Sequence, residues 1–336
     1  MDWFERLTGF AENSYDDVRA KLGVDGQKLH SRVNGKSFRI GTLEMPSLGE
    51  LRARVASESG SFGLTRLSVI QGDARKLHSA LDCNGALFQV ASQFNLLEMV
   101  SPHVTPEEGV GCYEHDHTQG PACAIAAGAA TIYRNYFVPI QRESGQRANR
   151  QLDGLADLGQ ALSTALGVPV ASLWRMKNGY ALCTEEGLAG INQHLASLNQ
   201  TELDILRSRL RIGLHWDVEV TDSASQRRPI VSQAFCSALP ISYTRLDQAN
   251  WQPFASIILE ATYEATLQAA ILNARRGASN IVLLTLVGGG AFGNAREWIL
   301  AAIKRALQSA QGHNLDVRVV SHGPISADLR ALAEAG

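Results

Sequence analysis

The sequence is short of cysteine. Its five thiols, Cys83, Cys112, Cys123, Cys183 and Cys236, are odd in number, scattered and never in C-x-x-C spacing. That excludes a disulfide scaffold and the common zinc ribbons. They read as reduced thiols packed as small hydrophobes, in keeping with a cytoplasmic protein. An excess of charge of one sign is missing too. Formal charge is −2 and the sequence pI is about 6.5. No basic stripe stands out, so no nucleic acid partner is expected. No apolar run approaches the ~18 residues of a membrane span, so no membrane association is expected either. The opening "MDWFERLTGF" lacks a basic stretch followed by an apolar one and reads as no secretory signal. Repeats and low-complexity tracts are absent. What remains is 336 residues, 45% hydrophobic and 19% charged, an ordinary globular composition with length enough for a large core.

Along the chain, residues 1–60 mix short helical patterns, "YDDVRAKL" and "SLGELRARVAS", with one strand-like stretch, "SFRIGTLEM". An α/β pattern starts at "LTRLSVIQGDARKLHSAL" (64–81), where the apolar run Leu67 to Ile70 leads into Gly72-Asp73 and a helix. "GALFQVASQF" (85–94) reads as a second buried strand. A loop rich in Pro, Gly and acid follows at 101–121, then a small-residue helix over 122–137 with Pro121 at its first position. Residues 141–210 read as mostly helical inserted material. Strands are expected at 211–222 and 230–244, a long helix at 254–277, a strand at 280–287, a helix at 295–311 and a last strand at 315–322. Alternating strands and helices predict an α/β sandwich with a substantially parallel sheet, whose ligands bind at the carboxyl ends of the strands.

At one such end stands "VGGGAFGNA", residues 287–295. Three adjacent glycines lose much entropy on folding. Without Cβ atoms, successive amides can turn inward as an anion nest at a helix N-terminus, and phosphate or diphosphate is the natural guest. The loop is not a Walker A, because no Lys-Ser/Thr follows it, and it is not a G-x-G-x-x-G dinucleotide loop. The alternative is a tight strand-to-helix turn that holds nothing. Phe292 either packs on a ribose or anchors the loop to the core.

These residues carry a resemblance. "YEATLQAAILNARRG", then "NIVLLTLV", then "GGGAFGN" resembles the distal half of a macrodomain, the ADP-ribose-binding module, and within that superfamily the poly(ADP-ribose)-glycohydrolase-like branch. "VIQGDARKLH" is similar to the macrodomain strand that ends in Gly-Asp, and "LFQVASQFNLLEM" stands where the family has Asn-Ala-Ala-Asn. The size and the "DHTQGPACA" segment resemble the divergent MavL-type macrodomains. The resemblance implies a three-layer α/β/α macrodomain-like sandwich with a mixed, largely parallel sheet. Its core would be 61–140 and 211–336, with an N-terminal extension (1–60) and a helical insertion (141–210). It further implies that Asp73 meets the adenine amino group, that Asn95 faces the distal ribose, and that Gly288, Gly289, Gly290, Ala291, Phe292, Gly293 and Asn294 wrap the diphosphate. ADP-ribose or an ADP-ribosylated protein is the implied partner, with no cofactor.

The chain departs from that branch at one point. The Gln-Glu-Glu signature whose glutamate donates a proton to the glycosidic bond is missing, and "TPEEGVGCYEHDHTQGP" stands in its place. Cleavage at the ribose C1″ passes through an oxocarbenium-like state and needs an acid or a charge-stabilising carboxylate. Asp116, just before a helix start at Thr118, is the preferred carboxylate. Gln119 is a candidate to orient water, Thr118 to contact ligand, and Glu108 to act as a second acid. Asp116 is equally readable as a helix-start acid, and Glu107 and Glu108 as solvated loop acids. Cys112, His115 and His117 lack a fourth ligand at zinc spacing, so no metal is expected. His78, His215 and His322 read as structural. Three functions are consistent with this pattern: hydrolysis of ADP-ribose from a modified protein or small molecule, a non-catalytic ADP-ribose reader, and an interaction platform using the insertion.

Overall fold

A computed structural model describes residues 1–57, 63–223 and 228–335. Seven strands form the central sheet: β1 Thr42–Glu44, β2 Arg66–Gln71, β3 Leu87–Ala91, β4 Gly213–Glu219, β5 Ile230–Cys236, β6 Ile281–Leu284 and β7 Asp316–Ser321. Their order is β1-β4-β5-β3-β6-β7-β2. The pairs β1/β4 and β4/β5 are antiparallel and the other four are parallel. The sheet is thus mixed and largely parallel, as expected.

The helices that matter are α1 Trp3–Thr8, α2 Leu48–Ser57, α3 Ala74–His78, α4 Gln119–Ala126, α5 Gly128–Tyr136, α6 Gln252–Arg275 and α7 Arg296–Ser309. Side chains on a strand alternate between faces. Accordingly Leu87, Val282, Leu284, Ala234, Val317 and Val319 join one core with α2, α6 and α7, while Phe88, Leu283 and Val231 join another with Ala127 and Ala130. Val90 and Phe235 pack on that second side with Ala74 and Cys123. Helices on both faces make three layers.

Helix α6 is buried almost all round: from Phe254 to Asn273 only Ser256 and Glu260 are not buried. A helix apolar on every side needs cover on every side. Here the sheet lies on one flank and the 141–210 segment on the other, through Leu158, Leu162, Trp174 and Ile191 in the same core. That segment holds four helices, Ala156–Leu166, Val170–Leu173, Glu185–Ser197 and Gln200–Arg207, and the hairpin Trp174–Lys177 with Tyr180–Cys183. The N-terminal sixty residues are not all peripheral: β1 is an edge strand of the main sheet and α2 packs on α6. The expected boundary at 60/61 lies outside the described residues.

Several element boundaries differ from expectation: the strands read at 85–94 and 280–287 are shorter, Leu87–Ala91 and Ile281–Leu284, and two further elements change more. The helix expected over 122–137 is two helices, broken at Ala127, and Pro121 is the third residue of α4. The strand expected over 230–244 ends at Cys236, well before Pro240. All five cysteines are free, and Cys112 alone among them is exposed.

A candidate ligand cleft at the carboxyl ends of the strands

The parallel strands β2, β3, β6 and β7 release the chain at one edge of the sheet, where a cleft of two lobes opens. Lobe one, about 520 Å³, is bounded by Ser92 and Gln93 after β3, by Tyr180 and Tyr243, and by Gly288, Gly290, Ala291 and Phe292 after β6. Lobe two, about 370 Å³, is bounded by Gly72 and Asp73 after β2, by Ile125, and by Ser321 and His322 after β7. Asp116, His117, Thr118, Gln119, Thr285 and Leu286 line both. The lobes are therefore one cleft, partitioned by the start of α4, and each has the volume of a small-molecule site.

The glycine loop is shaped for two reasons. Gly288 has φ +76° and Gly293 φ +73°, a conformation that favours glycine. A Cβ at Gly288 would come within 2.5 Å of the Ala238 Cβ, and one at Gly293 would run into the Ser242 hydroxyl. These two are required by the turn itself. Asn294, buried, staples the turn by donating its amide Nδ2–H to the Leu239 carbonyl at 2.8 Å and its main-chain N–H to Gly288 at 2.9 Å. Neither Gly289, Gly293 nor Asn294 borders the cleft. Gly290 is different, because a Cβ there would meet nothing within 4 Å. Among the described residues the amides of Gly290, Ala291 and Phe292 donate to no acceptor. Three consecutive free N–H groups beside a cavity are the arrangement an anion nest requires.

Asp73 caps α3, accepting from the Arg75 amide at 2.9 Å, and also lines lobe two. The cap and a ligand contact are compatible, since a carboxylate has two oxygens. Asp116 follows the three-ten turn Gly111–His115 and accepts the Thr118 amide on Oδ1 at 2.8 Å. Its other oxygen has no hydrogen-bond partner among the described residues. Gln119 is spent on structure: Oε1 accepts from the Ala91 amide and Nε2 donates to the Gln89 carbonyl, both at 2.9 Å. It fastens α4 to the end of β3 rather than reaching for water. Thr118 is exposed at the partition, its hydroxyl free of any cap bond.

Two more expected residues are not brought into the cleft. Asn95 is fully buried in a turn, where its Nδ2 donates to Gln151 and its Oδ1 accepts from the Leu97 amide. The residues that do reach the cleft from this strand are Ser92 and Gln93. Glu108 closes a capping box with Thr105. Its neighbour Glu107 accepts from the Ala148 amide.

Three lining residues carry no sequence signal. Glu98, from the apolar run "NLLEMV", is a buried carboxylate in the wall of lobe one. Burial pushes it up to about 7, against the pull of Arg134, which lies 3.5 Å away and is equally buried. Tyr180 and Tyr243 form an aromatic wall with Phe292, ring centroids 5.0 to 5.7 Å apart. Tyr180 comes from the segment 141–210, and its hydroxyl donates to the Met99 carbonyl at 2.7 Å. His322 borders lobe two rather than packing in the core. Among the described residues no three His, Cys, Asp or Glu side chains gather as a metal-holding group. No helix there is long and apolar enough to cross a membrane.

No family model matches the chain, and no curated protein matches it. It is similar to the solved structure of poly(ADP-ribose) glycohydrolase from Thermomonospora curvata, at 12% identity over 95% of each chain, with a TM-score of 0.44. It is also similar to poly(ADP-ribose) glycohydrolase from Deinococcus radiodurans in complex with ADP-ribose. There the identity is 15%, over 87% of this chain and 92% of that one, with a TM-score of 0.43. The T. curvata enzyme bound to the inhibitor ADP-HPD gives 12% identity, 95% of each chain and 0.42. Residue roles rest on the geometry of the cleft.

Proposed function

We propose that this chain binds ADP-ribose and hydrolyses the bond joining its distal ribose to a modified protein or a small molecule. The observation that supports this reading is the division of labour across the partition. One lobe offers the Asp73 carboxylate for an amino group, the other offers the free amides of Gly290, Ala291 and Phe292 for phosphate, and Asp116 stands between them. Adenine would lie in lobe two against Ile125 and Leu286, and the distal ribose in lobe one against Phe292. The first-turn amides of α4, Gln119 and Gly120, have no acceptor within the helix and add positive potential at the diphosphate. The unpartnered oxygen of Asp116 is placed to stabilise charge developing at C1″ and to orient the attacking water.

The test is Asp116→Asn. Release of ADP-ribose from an ADP-ribosylated protein should fall at least a hundredfold, while calorimetric affinity for ADP-ribose stays within about tenfold, ~1.4 kcal/mol. Undiminished turnover would remove Asp116 from this role. A second reading, a reader that holds ADP-ribose without cleaving it, draws on the engagement of Gln119 and the position of Glu108 outside the cleft. Binding without product on any ADP-ribosylated substrate would select it.

A further inference from the structure

Asp116 sits directly after a three-ten turn, and that turn is held from the N-terminal segment. Glu12 accepts the Val110 amide at 2.9 and 3.0 Å on its two oxygens, the Gly111 amide, and the Tyr136 hydroxyl at 2.7 Å. The cradle is cut to the carboxylate: a Cβ at Gly109 would approach it to 2.5 Å and one at Gly111 to 2.8 Å. At the far end of the same turn, Glu114 accepts the Trp3 amide at 2.8 Å and the Arg6 guanidinium at 3.3 Å. Between these ties Tyr113 is buried, its hydroxyl accepting the Glu98 amide at 3.0 Å and its carbonyl accepting the Asp116 amide at 3.1 Å. A three-ten turn has weak hydrogen-bond geometry of its own and holds its shape through such outside contacts. Charge-assisted bonds to a carboxylate are the stronger kind.

We infer that the segment 1–12 is a clamp on the cleft, in which Glu12, aided by Trp3 and Arg6 at Glu114, is a positioning residue for Asp116. This role rests on the hydrolysis proposed above. Glu12 is not among the residues that line the cleft. It acts through the turn, and a displacement of about 1 Å at a reacting group is enough to lower a rate a hundredfold.

The experiment compares Glu12→Ala, Glu12→Gln and Tyr136→Phe in the full chain. For Glu12→Ala, kcat should fall about tenfold or more while KM and the Kd for ADP-ribose stay within about threefold, because both lobes are built mainly by other segments. Glu12→Gln should recover part of the loss, since its carbonyl still accepts one amide. Tyr136→Phe, which leaves both amide bonds in place, should lose less, and it carries the comparison if Glu12→Ala does not fold. Amide hydrogen exchange at Val110, Gly111 and Asp116 should quicken in Glu12→Ala while Val282 to Leu284 in β6 stay protected. Unchanged kcat, or unchanged exchange at those three amides, overturns the clamp. Equal losses of kcat and ADP-ribose affinity would mark Glu12 as a general structural residue and overturn it also. If the unmodified chain hydrolyses nothing, the proposed hydrolysis fails and the positioning role with it, while exchange still decides whether Glu12 holds the turn.

Discussion

Gly290 and Gly293 stand in one loop and are glycine for different reasons. At Gly293 the backbone is left-handed and the Ser242 hydroxyl occupies the space of a side chain. Gly293→Ala should destabilise the fold by about 1–3 kcal/mol, read from urea denaturation, whether or not a ligand ever binds. At Gly290 there is open space and no positive φ. Gly290→Ala should leave stability within about 0.5 kcal/mol yet weaken ADP-ribose binding about tenfold by crowding the amide nest. Equal affinity in that variant would show that a side chain is tolerated where the diphosphate is expected. The sequence makes the loop conspicuous but does not separate these two reasons, because φ and the position of Ser242, fifty residues away, are tertiary facts. The same limit acts on Asn95. The resemblance implies a ribose contact for it, but the strand ends at Ala91 and the chain turns under itself, so Ser92 and Gln93 face the cleft instead.

Helix α4 shows how an element is aimed. Its first turn lies so close to β3 that a Cβ on Gly120 would strike the Ala91 carbonyl, and Gln119 bonds to the main chain of that strand twice. Together they fix where the helix N-terminus, Thr118 and Asp116 stand relative to the carboxyl ends of the sheet. Gly120→Ala should therefore move the whole start of the helix. We expect about 1–3 kcal/mol of destabilisation by chemical denaturation, with a larger loss of ADP-ribose affinity than Gly290→Ala produces. A normal affinity in a folded Gly120→Ala protein would mean that α4 does not contribute to the site. The helix was legible in its small-residue run. Its start, read at Pro121, lies two residues earlier at Gln119: proline is most favoured at the first helical position, but any first-turn residue lacks an intrahelical partner for its N–H and can accommodate it.

For the molecule as a whole, the segment 141–210 is part of the core rather than an appendage. It covers the outer flank of α6, and it supplies Tyr180 to the cleft. The fold should melt in one cooperative transition despite its 336 residues, with near-UV signals from Trp174 in the 141–210 segment and from α7's Trp298 lost together. ADP-ribose at about 100 times its Kd should add about 2.7 kcal/mol to that single transition, and AMP at the same concentration less, since AMP reaches one lobe only. Two separated transitions, only one of them moved by ligand, would show that the 141–210 segment and the cleft are energetically independent.

The sequence by itself determined the class of fold, the strands β2 to β7 with helices α6 and α7, and the glycine loop and Asp73 as points of interest. Those features are written in local patterns: hydrophobic period, cap residues and glycine spacing act within a few residues of one another. The tertiary structure alone decided which polar groups meet. Glu98 enters the wall of lobe one, Tyr180 arrives from a hairpin distant in sequence, and Glu12 reaches a loop almost a hundred residues away, none with a mark in its neighbourhood. A side chain's chemistry depends on the burial and partners that packing gives it, and packing joins residues that sequence keeps apart.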